Sequence, residues 1–199
     1  DDAPKLNRLT KTKTTTLLSG EQTATVSYTA NGNILTKSGV GTYEYGGTCN
    51  NIKAGPHAVT SITGARPATY CYDQNGNMLS GDGRTITYSA FDKPISINKS
   101  TGALVTYSYG PDREVYKRVE AVGGVTTTTT TLGSFEKVVE GTNTTLKYYI
   151  GKSAVVTKKN AEAAKTQYFH HDHQGSVVAI SDETGAISDD NRFAYDPWG

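Results

Sequence analysis

The chain has 199 residues, with 30 Thr, 21 Gly and 13 Tyr but only one Met, one Trp and four Phe, and its formal net charge is +1. Only 35% of it is hydrophobic. No apolar run reaches the roughly 18 residues of a membrane-spanning helix, and no basic stripe points to nucleic acid. Because Thr, Tyr and Gly favour strands and turns over helix interiors, the composition predicts a soluble all-β protein.

The first predicted elements are hairpins that recur along the chain. Tyr28-Thr-Ala-Asn-Gly-Asn-Ile-Leu35 returns as Tyr72-Asp-Gln-Asn-Gly-Asn-Met-Leu79, with alternating residues before and after each copy. Alternation is typical of half-buried strands. The pairs Asn31-Gly32 and Asn75-Gly76 predict type I′ turns, in which both central residues have positive φ. Asp73 belongs to the second copy of this turn.

Weaker copies of the unit begin at Tyr88, Tyr109 and Tyr195, and intervals between such tyrosines run from roughly 16 to 27 residues. A recurring unit of this size indicates a repeat architecture. We expect the repeat tyrosines, and the i, i+2 pairs Tyr43/Tyr45 and Tyr107/Tyr109, to pack on the sheet rather than to bind a ligand.

Further along, residues 146–150, 153–157, 167–170 and 176–181 predict short strands, and residues 160–165 predict a loop. Residues 126–131 are six consecutive threonines, which predict a solvent-facing strand. We find no linker and expect one continuous array. Because it begins with Asp1 and stops at Gly199 in a turn-like sequence, we also expect it to be part of a longer polypeptide.

The two cysteines, Cys49 and Cys71, lie 22 residues apart, close to the repeat interval. Neighbouring strands could bring them together, but the redox compartment is unknown. A disulfide and two free thiols both remain open. Two cysteines without a Cys-x-x-Cys spacing make a poor zinc site.

His171 and His173 are the main candidates for metal ligands, because on a strand both would share one face. A third ligand would have to come from elsewhere, so we favour a turn in which Asp172 and His173 bond to the backbone around Gly175. The adjacent carboxylate pairs Asp182/Glu183 and Asp189/Asp190 predict solvated turns rather than glycosidase chemistry. No nucleophile elbow or phosphate-binding loop occurs, so we expect no catalytic residue and no cofactor.

The ordered tyrosine units closely resemble Rhs/YD-repeat proteins, a superfamily that includes bacterial polymorphic toxins, toxin-complex components and animal teneurins. The matching stretches are Tyr72-Asp-Gln-Asn-Gly-Asn-Met, Gly83-Arg-Thr-Ile-Thr-Tyr-Ser-Ala-Phe-Asp-Lys-Pro, Tyr107-Ser-Tyr-Gly-Pro-Asp-Arg, Tyr148-Tyr-Ile-Gly, Tyr168-Phe-His-His-Asp-His-Gln-Gly-Ser and Tyr195-Asp-Pro-Trp-Gly. The resemblance covers essentially the whole chain. It implies YD-repeat hairpins over residues 1–165 and the start of an Rhs-associated core region over residues 166–199.

The resemblance implies a sheet of hairpins that spirals into a hollow shell around a C-terminal toxic domain. Toxins of this family often release that cargo by aspartate-dependent self-cleavage at a motif like Asp-Pro-x-Gly-Leu beyond the core. The closing Asp196-Pro-Trp-Gly199 lacks the following Leu of that motif, so we assign no cleavage activity to Asp196.

The function predicted from the sequence is therefore a non-enzymatic wall segment that encloses or displays another polypeptide. Its predicted partners are the rest of the same polypeptide, the enclosed cargo, and a secretion-system or cell-surface protein, without nucleic acid. Its predicted location is secreted or at a bacterial cell surface. The alternative is a binding module that recognises carbohydrate or a protein through its tyrosine-rich sheet. For the shell, the low apolar fraction fits a thin wall with partly wet faces.

Overall fold

The structure is a computed structural model that describes residues 8–16 and 20–195. It is all-β, as predicted, and it divides into two compact units, residues Asp1–Lys93 and Pro94–Gly199. The sequence prediction placed its boundary between residues 165 and 166, and that boundary stays a prediction. In the described part of the chain, no helix has the length and apolar character to cross a membrane.

The first unit contains ten strands: β1 (Lys11–Thr16), β2 (Gly20–Tyr28), β3 (Ile34–Lys37), β4 (Gly41–Tyr45), β5 (Thr48–Cys49), β6 (Ile52–Lys53), β7 (Val59–Thr63), β8 (Ala68–Tyr72), β9 (Met78–Gly81) and β10 (Arg84–Tyr88). Strands β1 to β4 pair antiparallel, each with the next, and so do strands β7 to β10. Strand β4 also pairs antiparallel with β7. The short strands β5 and β6 pair only with each other and form an insert between β4 and β7.

The second unit contains nine strands: β11 (Pro94–Lys99), β12 (Leu104–Tyr109), β13 (Val115–Val122), β14 (Val125–Leu132), β15 (Phe135–Glu140), β16 (Asn143–Ile150), β17 (Ala154–Lys159), β18 (Lys165–His171) and β19 (Val177–Ser181). Each strand pairs antiparallel with the next one along the chain. A short 3-10 turn follows at Asp189–Asn191, and a single bridge joins Ala179 to Arg192. The unit is therefore a simple meander, which agrees with the strands predicted from the sequence.

Few side chains in either unit are removed from water. The buried apolar residues of the described chain are Val26, Ile62, Ile86, Ala154, Val155 and Ala179, and no large side chain there is completely buried. The solvent-accessible surface is 13831 Å², whereas a globular protein of 21.3 kDa exposes roughly 9,000 Å². The sheets therefore leave both faces partly in contact with water.

The threonine run forms strand β14, but the prediction that this strand faces solvent is only half correct. β14 pairs on both sides, with β13 and with β15, so it is a central strand. Thr129 is buried because it lies opposite both Arg118 and Val138 on one face of the sheet. Alternation then leaves Thr126 and Thr130 exposed on the other face.

Candidate functional site

The most regular feature of the molecule is a hydrogen bond between a tyrosine hydroxyl and a main-chain carbonyl. Six tyrosines in the described residues donate such a bond to the segment that precedes them, over 2.6 to 3.0 Å: Tyr28 to Leu9, Tyr45 to Ile34, Tyr72 to Val59, Tyr88 to Met78, Tyr109 to Pro94, and Tyr195 to Val177. Five of them end a strand, and the acceptor usually begins the strand before it. We call each bond a tyrosine clamp, because it closes the open end of a hairpin.

The clamping rings are largely packed against the sheet. Tyr28, Tyr45, Tyr72, Tyr88 and Tyr109 are half-buried, while Tyr195 is about half exposed. Burial is the main cause that raises the pKa of Tyr45, Tyr72, Tyr88 and Tyr109 above the ordinary value. These hydroxyls therefore keep their protons at neutral pH and can donate to the carbonyls.

Seven turns in the described residues share one geometry, at positions 29–33, 73–77, 89–93, 99–103, 110–114, 172–176 and 182–186. In each, the first N–H donates to the fifth carbonyl and the fourth N–H donates to the first carbonyl. The fourth residue has positive φ: Gly32, Gly76, Asp92, Gly102, Arg113, Gly175 and Gly185. This is a three-residue hairpin loop with a bulge, and the strand register shifts next to Tyr28, Tyr72 and Tyr109 accordingly.

The predicted type I′ turns at Asn31-Gly32 and Asn75-Gly76 are therefore wrong. Only Gly32 and Gly76 have positive φ there, at 96° and 86°, and neither Asn does. A loop with three central residues needs positive φ only at the last of them, whereas a two-residue loop needs it at both. Pairs in which both residues have positive φ do occur at the two-residue connections Asn50-Asn51, Asp82-Gly83 and Gly123-Gly124.

The first residue of most of these turns supplies a side-chain acceptor. Asp73 Oδ1 accepts from the N–H groups of Asn75 and Asn77 at 2.9 and 2.8 Å. Asp172 and Asp182 accept in the same way within their own turns, and Thr29 and Ser89 use hydroxyl oxygens. These oxygens satisfy amides that the turn leaves without a strand partner.

Hydrogen bonds hold the pKa of three of these aspartates below the ordinary value. The Asn77 side chain is the main cause for Asp73, the Ser176 N–H for Asp172, and the Thr184 hydroxyl for Asp182. The carboxylates are therefore ionised at neutral pH and engaged within their own turns. In all three aspartates Oδ1 accepts the backbone N–H groups of its own turn.

Neighbouring turns of the first unit also contact each other. Asp92 Oδ1 accepts from the Asn75 and Asn77 side-chain amides at 2.9 and 2.8 Å. Earlier in the chain, His57 Nδ1 lies 2.6 Å from Asn33 Oδ1, and Asn33 Nδ2 donates to the Pro56 carbonyl. The turns therefore form a hydrogen-bonded edge, and sequence reasoning missed both Asp92 and His57 as its members.

Cys49 and Cys71 are joined by a disulfide, with their Cα atoms 5.5 Å apart. The bond attaches the short β5–β6 insert to strand β8. Of the two states that the sequence left open, the structure has the bonded one. The disulfide therefore adds a covalent link to the hydrogen bonds by which Asn33 contacts Pro56 and His57 of the same insert.

The histidines do not form the arrangement that a shared strand face would give. His171 is the last residue of β18 and His173 lies in the following turn, and both are exposed. The register shift between His170 and His171 ends the alternation on which that expectation depended. Within the described residues no group of three or more His, Cys, Asp or Glu side chains could hold a metal ion.

A cleft of about 510 Å³ lies in the second unit, between the β17–β18 turn and the turn at 182–186. Lys159 and Lys165 line it together with Glu162, Asp182 and Glu183. Charges of both signs offer no uniform field for an ionic substrate, and Asp182 is engaged in its own turn.

Of the remaining residues that the sequence singled out, Asp196 and Gly199 lie outside the described residues. Tyr43, Tyr45, Tyr107 and Tyr109 are all half-buried on the sheet. Tyr45 also forms a clamp, which sequence reasoning did not foresee. Its position at the end of a short alternating stretch was the signal, but no Asn-Gly turn follows it as one follows Tyr28 and Tyr72.

No family model and no curated protein matches the chain. Among solved structures it is similar to the crystal structure of TcdB2-TccC3-TEV, with a TM-score of 0.53 and 13% identity over 96% of this chain and 14% of that one. The crystal structure of TcdB2-TccC3 without its hypervariable C-terminal region gives a TM-score of 0.46 and 12% identity, over 93% of this chain and 14% of that one. This chain thus spans about one seventh of the length of the structures it matches. The first likeness shows that its antiparallel sheet has a fold found within TcdB2-TccC3-TEV.

Proposed function

We propose that this chain is a structural segment of an Rhs/YD-repeat shell, whose sheet forms part of a wall around another polypeptide. Three features support the proposal: the ordered tyrosine motifs that resemble this family, the tyrosine clamps that the same motifs form, and the fold likeness to TcdB2-TccC3-TEV. The partners would be the rest of the same polypeptide and its enclosed cargo, and the location would be secreted or at the bacterial surface.

The observation that carries the proposal is a sheet in which no large described side chain is fully buried. A single sheet of this kind needs another source of stability than a thick core. Clamps, stacked turns and continuous strand pairing supply it along the length of the sheet. A wall built in this way can keep a polar inner surface and still hold its shape.

We further propose that the chain is not an enzyme. The carboxylates with shifted pKa values are occupied by their own turns. A wall segment needs no reactive group, and any cleavage that releases cargo would depend on residues of the larger polypeptide.

The proposal is tested by protease protection in the longest natural polypeptide that contains this chain. We expect the segment enclosed by the wall to resist added protease, and we expect protection to be lost when hairpin β9–β10 is deleted. Deletion of the same length of polar linker is the control. If the segment is digested equally fast in the intact and the deleted protein, the chain does not form an enclosing wall.

A binding module that recognises carbohydrate is the second candidate. It is favoured by Tyr148 and Tyr168, whose side chains are 53% and 45% exposed and offer flat apolar rings. On a glycan array, a binding signal that disappears in Tyr148→Ala and Tyr168→Ala but persists in Tyr70→Ala would support this function over the shell.

A further inference from the structure

One face of the second unit carries a continuous exposed apolar patch. Directly paired residues of an antiparallel sheet share a face, and the register places Leu132, Phe135 and Tyr148 side by side on β14, β15 and β16. Ile150 follows Tyr148 by two positions, and Ala154 separates it from Tyr168 on the next strands. We call Leu132, Phe135, Tyr148, Ile150 and Tyr168 the apolar patch.

The members of the apolar patch are unusually open to solvent for large apolar side chains. Leu132 is 80% exposed, Tyr148 53%, Ile150 49%, Tyr168 45% and Phe135 37%. Single exposed apolar residues are ordinary, but contiguous patches of several hundred Å² on soluble proteins usually mark interaction sites. The pairing register makes this patch contiguous.

A row of lysines runs beside the apolar patch on the same face. The row consists of residues that pair directly from each strand to the next across β13 to β17: Lys117, Thr130, Lys137, Leu146 and Lys158. Each lies two residues along its strand from the row that contains Leu132, Phe135 and Tyr148. The three lysines are exposed, and none of them forms an ion pair within the described residues.

The same face has no carboxylate at any strand position of the second unit. The strand carboxylates of that unit are Glu120, Glu136 and Glu140, and the register places all three on the opposite face. There they lie among cations, as in the bond of 2.8 Å between Lys147 Nζ and Glu136 Oε1. At the strand positions the two faces therefore differ in charge: one carries charged residues of both signs, and the charged residues of the other are all lysines.

We propose that this face binds an acidic polypeptide segment that also carries apolar side chains. Charge complementarity selects the occupant, since carboxylates would meet the lysine row while apolar side chains cover the apolar patch. The inference deepens the proposed function and rests on it in one respect, that the contacted molecule is a polypeptide. This face would hold the enclosed polypeptide through its lysines and its apolar side chains.

The spacing of the lysines specifies the partner further. Neighbouring strands lie about 4.8 Å apart, so Lys117, Lys137 and Lys158, each two strands from the next, repeat at about 9.6 Å. An extended polyproline II segment advances about 3.1 Å per residue, or about 9.3 Å in three residues. A segment that crosses the strands with a carboxylate at every third position would match all three lysines.

The test is fluorescence anisotropy of a labelled peptide made of Glu-Leu-Pro triplets, titrated with the full chain. We expect saturable binding that weakens as ionic strength rises, and no binding of the matching Lys-Leu-Pro peptide. Lys158→Glu should weaken binding about fivefold. Lys159→Glu is the matched control, because Lys159 is exposed and follows Lys158 on β17 but lies on the opposite face. The affinity of this variant for the peptide should stay within about twofold of the wild-type affinity. Tyr148→Ser should weaken binding about tenfold.

Equal effects of Lys158→Glu and Lys159→Glu would overturn the proposal, as would binding that is insensitive to both. Lysine-dependent binding of phosphatidylglycerol vesicles in place of the peptide would assign the face to a membrane. Self-association abolished by Tyr148→Ser would assign it to a second copy of the chain. Peptide binding does not require that the wall encloses anything. Peptide binding without protease protection of the enclosed segment would therefore contradict only the proposed shell function. Protease protection without peptide binding would contradict only the proposal that this face binds an acidic segment.

Discussion

At the residue scale, each tyrosine clamp joins two chain segments through one hydroxyl and packs one ring on the sheet. Tyr72 Oη lies 2.7 Å from the Val59 carbonyl oxygen. A neutral hydrogen bond of this kind contributes about 1 kcal/mol net. Six such bonds matter in a protein whose sheets bury few side chains. The position of the clamp explains why tyrosine, rather than phenylalanine, marks the repeat unit.

Replacing one clamp hydroxyl should destabilise the protein measurably. We expect Tyr72→Phe to lower the free energy of unfolding by about 1 kcal/mol, as measured by urea denaturation. Tyr70→Phe is the matched control, since Tyr70 lies on the same strand and its hydroxyl bonds to none of the described residues. Equal losses in the two variants would mean that the clamp contributes nothing beyond ring packing.

The turn aspartates make stability depend on pH. The pKa of Asp73 is lowered in the folded state, first by its bond to the Asn77 side chain. Its contribution is therefore complete above the unfolded value of about 3.9 and is lost as pH falls through the lower folded pKa. We expect the difference in urea midpoint between wild type and Asp73→Asn to shrink as pH falls from about 6 to about 2.

Asp190→Asn is the control for that experiment, because Asp190 is exposed and accepts no hydrogen bond from a side chain or turn amide in the described residues. Its difference from wild type should stay small and constant over the same range. If the Asp73→Asn difference grows as pH falls, the turn bonds do not favour the ionised carboxylate.

At the element scale, the glycines of the hairpins serve two different purposes. Gly76 has a φ of 86° in an open turn, and a Cβ added there would meet nothing within 4 Å. Gly41 has a φ of 138°, and a Cβ added there would overlap the Thr63 carbonyl oxygen of a neighbouring strand. The first glycine therefore answers a conformational demand alone, while the second also permits close approach of two backbones.

The two glycines should respond differently to the same substitution. Gly76→Ala should cost about 1 kcal/mol, from backbone strain. Gly41→Ala should cost more than about 2 kcal/mol, because the backbones must also separate. Urea denaturation of the two variants measures the difference, and equal costs would contradict the close approach at Gly41.

The disulfide stabilises the insert of the first unit. Closing a loop of 22 residues restricts the unfolded chain by about 3 kcal/mol. We expect reductant to lower the unfolding free energy of the wild type by about that amount and to leave the double variant Cys49→Ser/Cys71→Ser unchanged. A wild type that is insensitive to complete reduction would show that the bond adds no stability.

The elements also show what the sequence could predict. Alternation around Tyr28, Tyr72 and Tyr88 predicted the strands, and Asn-Gly predicted where they turn, because both signals are local. The predicted type I′ turns were wrong, because each of these hairpins closes with a three-residue loop and not with a two-residue loop. Which residues close the hairpin depends on strand pairing, which the Asn-Gly pair alone does not specify. The apolar patch and the lysine row could not be predicted, because they depend on the pairing register across β13 to β18, which the turn lengths set and the alternation within one strand does not specify.

At the scale of the whole molecule, many short hairpins with local pairing replace a single thick core. Each strand pairs with a sequence neighbour, and turns and clamps add bonds at both ends of the strands. Such a sheet can present one face to a partner and the other to solvent. In the second unit the strand carboxylates lie on one face and the lysine row on the other.

Electron cryomicroscopy of the longest natural polypeptide that contains this chain tests directly whether it forms an enclosing wall. We expect the sheets of both units to form part of the wall of a closed cavity, with density for another polypeptide inside it. A sheet that packs face to face on a second sheet, or a cavity that is absent or holds no polypeptide, would contradict the account.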